Sequence, residues 1–72
     1  MNYNTRLKEL RIDHDKTQEE IAEIVNCSRK QIIRYENGEQ EITISKLRAI
    51  CMYFNVSADY ILGLPKNLDW PR

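Results

Sequence analysis

The stretch "TQEEIAEIVNCSRKQIIRYENG", residues 17–38, decides the fold. Thr17 followed three residues later by Glu20 is a capping box: the hydroxyl can accept from the amide of residue 20, and the carboxylate can reach back to the amide of residue 17. Ile21, Ala22, Ile24 and Val25 supply an apolar side, while Glu19 and Glu20 suit the positive end of a helix dipole. "NCS" is a very short connection, and Ser28 is a good cap for a second helix, "RKQIIRYE". Asn37-Gly38 stops that helix, because Gly38 takes positive φ at little cost. Two helices of about eight residues with a tight turn between them have the spacing of a helix-turn-helix.

Outward from this pair the same signals recur. Tyr3, Leu7 and Leu10 lie at helical spacing within residues 3–14, with Asn2 or Asn4 as cap. After the loop "EQEIT", Thr43 or Ser45 can cap a fourth helix running to about Phe54, in which Ile44, Leu47, Ile50, Cys51 and Phe54 recur at spacings of three and four. "NVS" breaks it, and Ser57 caps a last short helix, "ADYILG". The reading is all-α: a compact five-helix domain over residues 1–64, followed by an irregular tail, 65–72, that holds both prolines and the one Trp.

A chain of 72 residues makes one small domain with a marginal core. Charged residues are 31% and hydrophobic ones 42%, with two Gly and two Pro, which favours a soluble helical protein over a turn-rich β fold. No apolar run approaches the roughly 20 residues of a membrane span, and "MNYNTRLKEL" has charges where a signal peptide would be apolar, so a cytoplasmic protein is expected. Cys27 and Cys51 match no metal-ligand spacing and are expected as buried reduced thiols. The one histidine, His14, has no nucleophile or second ligand beside it, and no glycine-rich phosphate loop occurs. No catalytic residue, metal, cofactor or small-molecule substrate is expected.

Lys and Arg number 11, and so do Asp and Glu, for a net charge of zero, so the placement of charge carries the information. At about 100° per residue, Arg29, Lys30 and Arg34 share one outward arc of the second helix-turn-helix helix, with Ile33 among them. Ile32 and Tyr35 fall on the opposite side. Taken alone, such an arc is more often a solvated helix face than a binding surface.

The chain resembles the lambda-repressor/Cro family of helix-turn-helix regulators, also called the Xre family, over residues 3–63. The residues that carry the resemblance are "RLKELR", "TQEEIAEIVNCSRKQIIRYENG" and "LRAICMYFNVSADYILG". It implies a sequence-specific, double-stranded-DNA-binding transcriptional regulator, read as a repressor. As a homodimer, at least on DNA, it would occupy a near-palindromic operator with its third helix in the major groove. By that likeness Arg29, Lys30 and Arg34 match base-reading positions, and Arg or Lys can donate to guanine O6 and N7. The competing reading is that they reach phosphates. Ile33 either meets a thymine methyl or a sugar, or covers part of the loop between the third and fourth helices. Gln18, Ser28, Asn37, Thr43 and Lys46 match backbone-contacting positions. Arg11 and Glu36 match a structural ion pair, from which Arg11 can also reach a phosphate. Tyr60, Leu64, Leu68 and Trp70 are dimer candidates, with the tail folding back onto the last helix as the competing reading.

The likeness fails in one place. The family often carries basic residues and a proline after Asn-Gly, where this chain has Glu39, Gln40, Glu41 and Ile42. Two carboxylates near a DNA backbone weaken binding unless the loop turns away. The alternative is a protein-binding module of the same fold, antitoxin-like or anti-repressor, which the acidic second helix favours and the three-cation arc opposes.

Overall fold

Five helices succeed one another with short connections: α1 (Tyr3–Asp13), α2 (Gln18–Val25), α3 (Arg29–Glu36), α4 (Ile44–Phe54) and α5 (Ala58–Leu62). The computed structural model describes residues 2–65, and no strand occurs among them. Leu68 and Trp70, and most of the tail read as residues 65–72, lie outside the described residues.

Capping side chains set where most of the helices start. Thr17, Ser28, Thr43 and Ser57 each accept a hydrogen bond from the amide three residues on, at 3.1, 3.2, 3.3 and 3.3 Å. A cap of this kind contributes about 1 kcal/mol. Thr17 completes the capping box, since its own amide donates to Glu20 Oε1 at 2.8 Å. Thr43, not Ser45, caps α4. At α1 neither asparagine caps: Asn2 holds the cap position without a side-chain bond, and Asn4 donates instead to the Glu36 carbonyl at 3.3 Å.

The helix ends follow one rule. Asp15, Asn26, Gly38, Asn55 and Gly63 take φ of 54°, 59°, 75°, 57° and 69°. After each, the next amide reaches back to a carbonyl five positions earlier: Lys16 to Arg11, Cys27 to Ala22, Glu39 to Arg34, Val56 to Cys51 and Leu64 to Asp59. These closures satisfy carbonyls that a helix end leaves open. Asn and Asp enter the left-handed region more readily than other non-glycine residues. A chain with two glycines therefore still makes five sharp ends.

The core is Leu7 and Leu10 of α1, Ile21, Ala22 and Val25 of α2, Ile32 and Tyr35 of α3, Ile50 of α4 and Ile61 of α5. α2 packs on α3 and α4, and α1 on α3 and α5, with α5 closing against α4. Short as it is, α5 brings Ile61 to 0% exposure. Burying such a side chain stabilises by roughly 2 kcal/mol. Val56 packs against the core, whereas Tyr60 and Leu64 are exposed.

Two expectations are corrected. Ile44 is 85% exposed rather than inward, because it opens α4 at the loop edge while the helix packs through its later turns, at Leu47, Ile50, Cys51 and Phe54. Cys27 and Cys51 are free thiols but only half-buried; each sits where a helix meets a turn or the rim of the core. Partial burial still pushes both thiols above their ordinary pKa. His14 is exposed at the end of α1, as expected there. Its ring also rests 4.6 Å from that of Phe54, with Nδ1 2.9 Å from the Leu10 carbonyl.

Candidate nucleic-acid interface

α3 divides into two faces. Ile32, Tyr35 and Glu36 are buried, at 2%, 1% and 8% exposure, while Arg29, Lys30 and Arg34 are exposed and Ile33 is half-buried. The division follows from spacing, because 32, 35 and 36 stand three and four apart on the side that meets α1 and α2. It leaves three like charges on the free arc with no acidic partner in salt-bridge range among the described residues.

Glu36 is the one buried acidic side chain among the described residues, and three donors from two other helices hold it. Arg11 Nε and Nη2 donate to its two oxygens at 2.6 and 3.0 Å, a bidentate pair, and Gln18 Nε2 adds a third bond at 3.2 Å. Arg11 also donates through Nη1 to the Lys16 carbonyl at 3.0 Å. One guanidinium thus ties α1, the α1–α2 turn and α3 together. Its planar fork does this where a lysine would bond as a point charge. The network orients α3 against α2 and withdraws Glu36 from the outward arc.

A cleft opens beside this network, lined by Lys8, Arg11, Lys16, Thr17, Gln18, Glu19 and Arg29. It lies at the start of α2, whose free amides and positive dipole end suit an anion. Lys8 and Lys16 belong to this cleft and were not singled out in the sequence. Lys8 precedes Arg11 by three residues, one helical turn, and that spacing was the available signal. Lys16 comes in only through the left-handed turn at Asp15. Gln18 also lines the cleft, and one of its amide donors is already engaged with Glu36.

The loop after α3 is held from α1. The Ile42 amide donates to Tyr3 Oη at 3.2 Å, and that hydroxyl donates to the Gln40 carbonyl at 3.4 Å. Asn4 sits against Gly38, where an added Cβ would come 3.3 Å from its Nδ2. Glu39 and Glu41 stay exposed on this pinned loop. Of the remaining expected positions, Ser28, Asn37 and Thr43 are exposed at helix ends and Lys46 is half-buried in the first turn of α4. Behind α3 the Tyr35 hydroxyl is buried and finds no hydrogen-bond partner among the described residues, and burial raises its pKa.

Fold and site together define a five-helix, lambda-repressor-like helix-turn-helix domain with a cationic third helix. The chain belongs to the helix-turn-helix family, whose model matches residues 7–61. Among curated relatives, the antitoxin PezA of Streptococcus pneumoniae is 44% identical over 63 residues, covering 88% of this chain and 40% of the relative. The HTH-type transcriptional regulator YobD of Bacillus subtilis is 34% identical over 67 residues, covering 93% and 60%. The chain therefore spans about half the length of the curated relatives it matches. Among solved structures, the P22 c2 repressor, in complex with a synthetic operator, superposes with a TM-score of 0.80 at 24% identity, covering 86% of this chain and 94% of that one.

Proposed function

We propose that the domain is a cytoplasmic, sequence-specific double-stranded-DNA-binding transcriptional regulator, acting as a repressor, that reads the major groove with α3. The observation that carries this is the arc of Arg29, Lys30 and Arg34, exposed on α3 while the helix's own carboxylate, Glu36, is buried and paired. In this reading the three cations meet base edges, with guanine O6 and N7 as the matching acceptors. Phosphates lie against Gln18, Ser28, Asn37, Thr43 and Lys46, and against the cleft of Lys8, Arg11 and Lys16. The relatives named as transcriptional regulators and the likeness to a repressor crystallised with its operator support it. One helix-turn-helix reads few base pairs, so two copies bind a near-palindromic site with half-sites about 34 Å apart. Exposed Tyr60 and Leu64 are candidates for the contact between copies.

The test is selection of bound duplexes from a random pool, then affinity against salt for the winner. The expected result is a two-fold-symmetric site and a log–log salt slope of about −0.9 per phosphate contacted. A folded Arg29, Lys30, Arg34→Ala triple variant should lose the preference. The antitoxin relative favours a second reading, a module whose partner is a protein and whose acidic α2 surface, Glu19 and Glu23, makes the contact. A folded protein that enriches no duplex sinks the first reading and turns the search to that partner.

A further inference from the structure

The loop between α3 and α4 carries a contradiction. Its two ends, Asn37 and Thr43, are proposed phosphate contacts, yet between them stand Glu39 and Glu41, both exposed and neither in an ion pair among the described residues. The first turn of α1 grips this loop. Tyr3 Oη accepts from the Ile42 amide at 3.2 Å and donates to the Gln40 carbonyl at 3.4 Å, so one hydroxyl bridges the backbone on either side of Glu41. Asn4 Nδ2 donates to the Glu36 carbonyl at 3.3 Å and rests against Gly38, whose φ of 75° turns the chain out of α3. Glu41 is thereby set towards α1 and α5. It lines one cleft with Tyr3, Ile44 and Leu62, and a second with Asn4, Asn37 and Leu62. Neither cleft includes Arg29, Lys30 or Arg34.

We propose that Tyr3 is a positioning residue for DNA binding: its hydroxyl straps residues 40–42 so that the Glu41 carboxylate is held on the α1–α5 side, off the phosphate that Asn37 meets. The inference rests on the DNA reading of α3 and deepens it. Asn37 shares a cleft with Glu41, so a short swing of a freed loop brings carboxylate and phosphate together. Exposed like charges repel within about a Debye length, ~10 Å at 0.1 M salt. The strap makes no contact with DNA; it withholds a repulsion. Glu36 is kept from the phosphates by pairing with Arg11, and Glu41 by the direction in which its loop is tied. The hydroxyl does the tying, while the ring packs against the core. Tyr3→Phe therefore removes the strap and keeps the packing.

The test uses the duplex selected above and a double-mutant cycle between Tyr3→Phe and Glu41→Gln. Tyr3→Phe should weaken binding about fivefold, which is the repulsion of two unit charges about 4 Å apart in water at about 1 kcal/mol. The loss should shrink as salt rises. Glu41→Gln alone should bind close to wild type, and adding Tyr3→Phe to it should cost nothing further. Without DNA, hydrogen exchange of the Ile42 amide should quicken in Tyr3→Phe while the α3 amides keep their wild-type protection. A Tyr3→Phe that binds as wild type does overturns the inference, and so does unchanged exchange at Ile42. An equal loss in the Glu41→Gln background also overturns it, because the strap is then only a brace for the loop. Each of these leaves the DNA reading standing, whereas failure to select any duplex removes both.

Discussion

Replacing Arg11 with alanine tests the packing logic of the domain most sharply. The guanidinium supplies two of the three hydrogen bonds on Glu36 and makes a third bond of its own to the Lys16 carbonyl. The side chains are 14% and 5% exposed, for Arg11 and Glu36 respectively. Without Arg11, Glu36 keeps only the Gln18 bond, and its charge sits beside Leu7, Ile21 and Ile32. Removing one partner of a buried pair costs about 3–5 kcal/mol, because the other charge is left uncompensated. A domain of 72 residues holds on the order of 4–11 kcal/mol in all, at about 0.05–0.15 kcal/mol per residue. The variant should therefore lose roughly half its stability. In a domain of this size that lowers the melting temperature by on the order of 25 °C. Urea unfolding followed by far-ultraviolet circular dichroism measures the loss.

The cycle is completed by Glu36→Gln and by the double variant. Glu36→Gln should cost less than Arg11→Ala, because the better-exposed guanidinium keeps some solvation and its bond to Lys16. Arg11→Ala combined with Glu36→Gln should be more stable than Arg11→Ala alone, since a neutral amide is easier to leave among apolar groups than a carboxylate. A loss below about 1 kcal/mol for Arg11→Ala, a value typical of surface pairs, would refute the reasoning. So would a double variant no better than the single one.

Three further outcomes are expected. Tyr35→Phe should leave stability unchanged or raise it by about 1 kcal/mol, since it removes a buried hydroxyl with no partner among the described residues; a clear loss in urea unfolding would mean that the hydroxyl is bonded in solution. Ile61→Ala should cost about 2–5 kcal/mol, seen as a lower urea midpoint, because α5 closes the core through a side chain at 0% exposure. The Thr17 amide and hydroxyl hold the Glu20 carboxyl below its ordinary value of 4.5. A depressed carboxyl contributes stability above its unfolded pKa and loses it as pH falls through the folded one. Wild type should therefore exceed Glu20→Gln in stability at pH 7, with the gap closing below about pH 4, and a gap independent of pH would contradict the capping-box assignment.

The sequence carried the helices because their signals are local. Thr17–Glu20, Ser28 and Ser57 act within one turn, and 32 and 35 stand inward by periodicity alone. The arc of Arg29, Lys30 and Arg34 was legible for the same reason: one face of a helix is a matter of angle. What was not legible depends on where separate helices come to rest. Nothing near Tyr3 indicates that its hydroxyl meets residues 40 and 42, or near Asn4 that it bonds the Glu36 carbonyl. Lys8 and Lys16 become neighbours of Arg29 only once α1 is laid across α2 and α3. Ile44 misled because the apolar period runs one residue past the part of α4 that packs. The Arg11–Glu36 pair is a long-range contact too, and it was expected only through likeness to the family.

The layout of charge explains how a neutral chain can carry a cationic third helix. Of the acids near α3, Glu36 is buried and neutralised, Glu19 and Glu23 are on α2, and Glu39 and Glu41 are on a loop that Tyr3 holds in place. Positive charge is thus left uncancelled on one narrow arc, whereas in the cleft beside it Arg11 is paired with Glu36 and Lys16 lies 4.0 Å from Glu20. On the proposed reading this has an energetic consequence. Non-specific affinity grows with the number of phosphates neutralised, and the acidic surroundings keep that number small. Binding then depends on base-edge contacts, each giving about 1–3 kcal/mol of discrimination. Loss of any one of Arg29, Lys30 or Arg34 should remove a larger share of the total than it would from a uniformly basic surface.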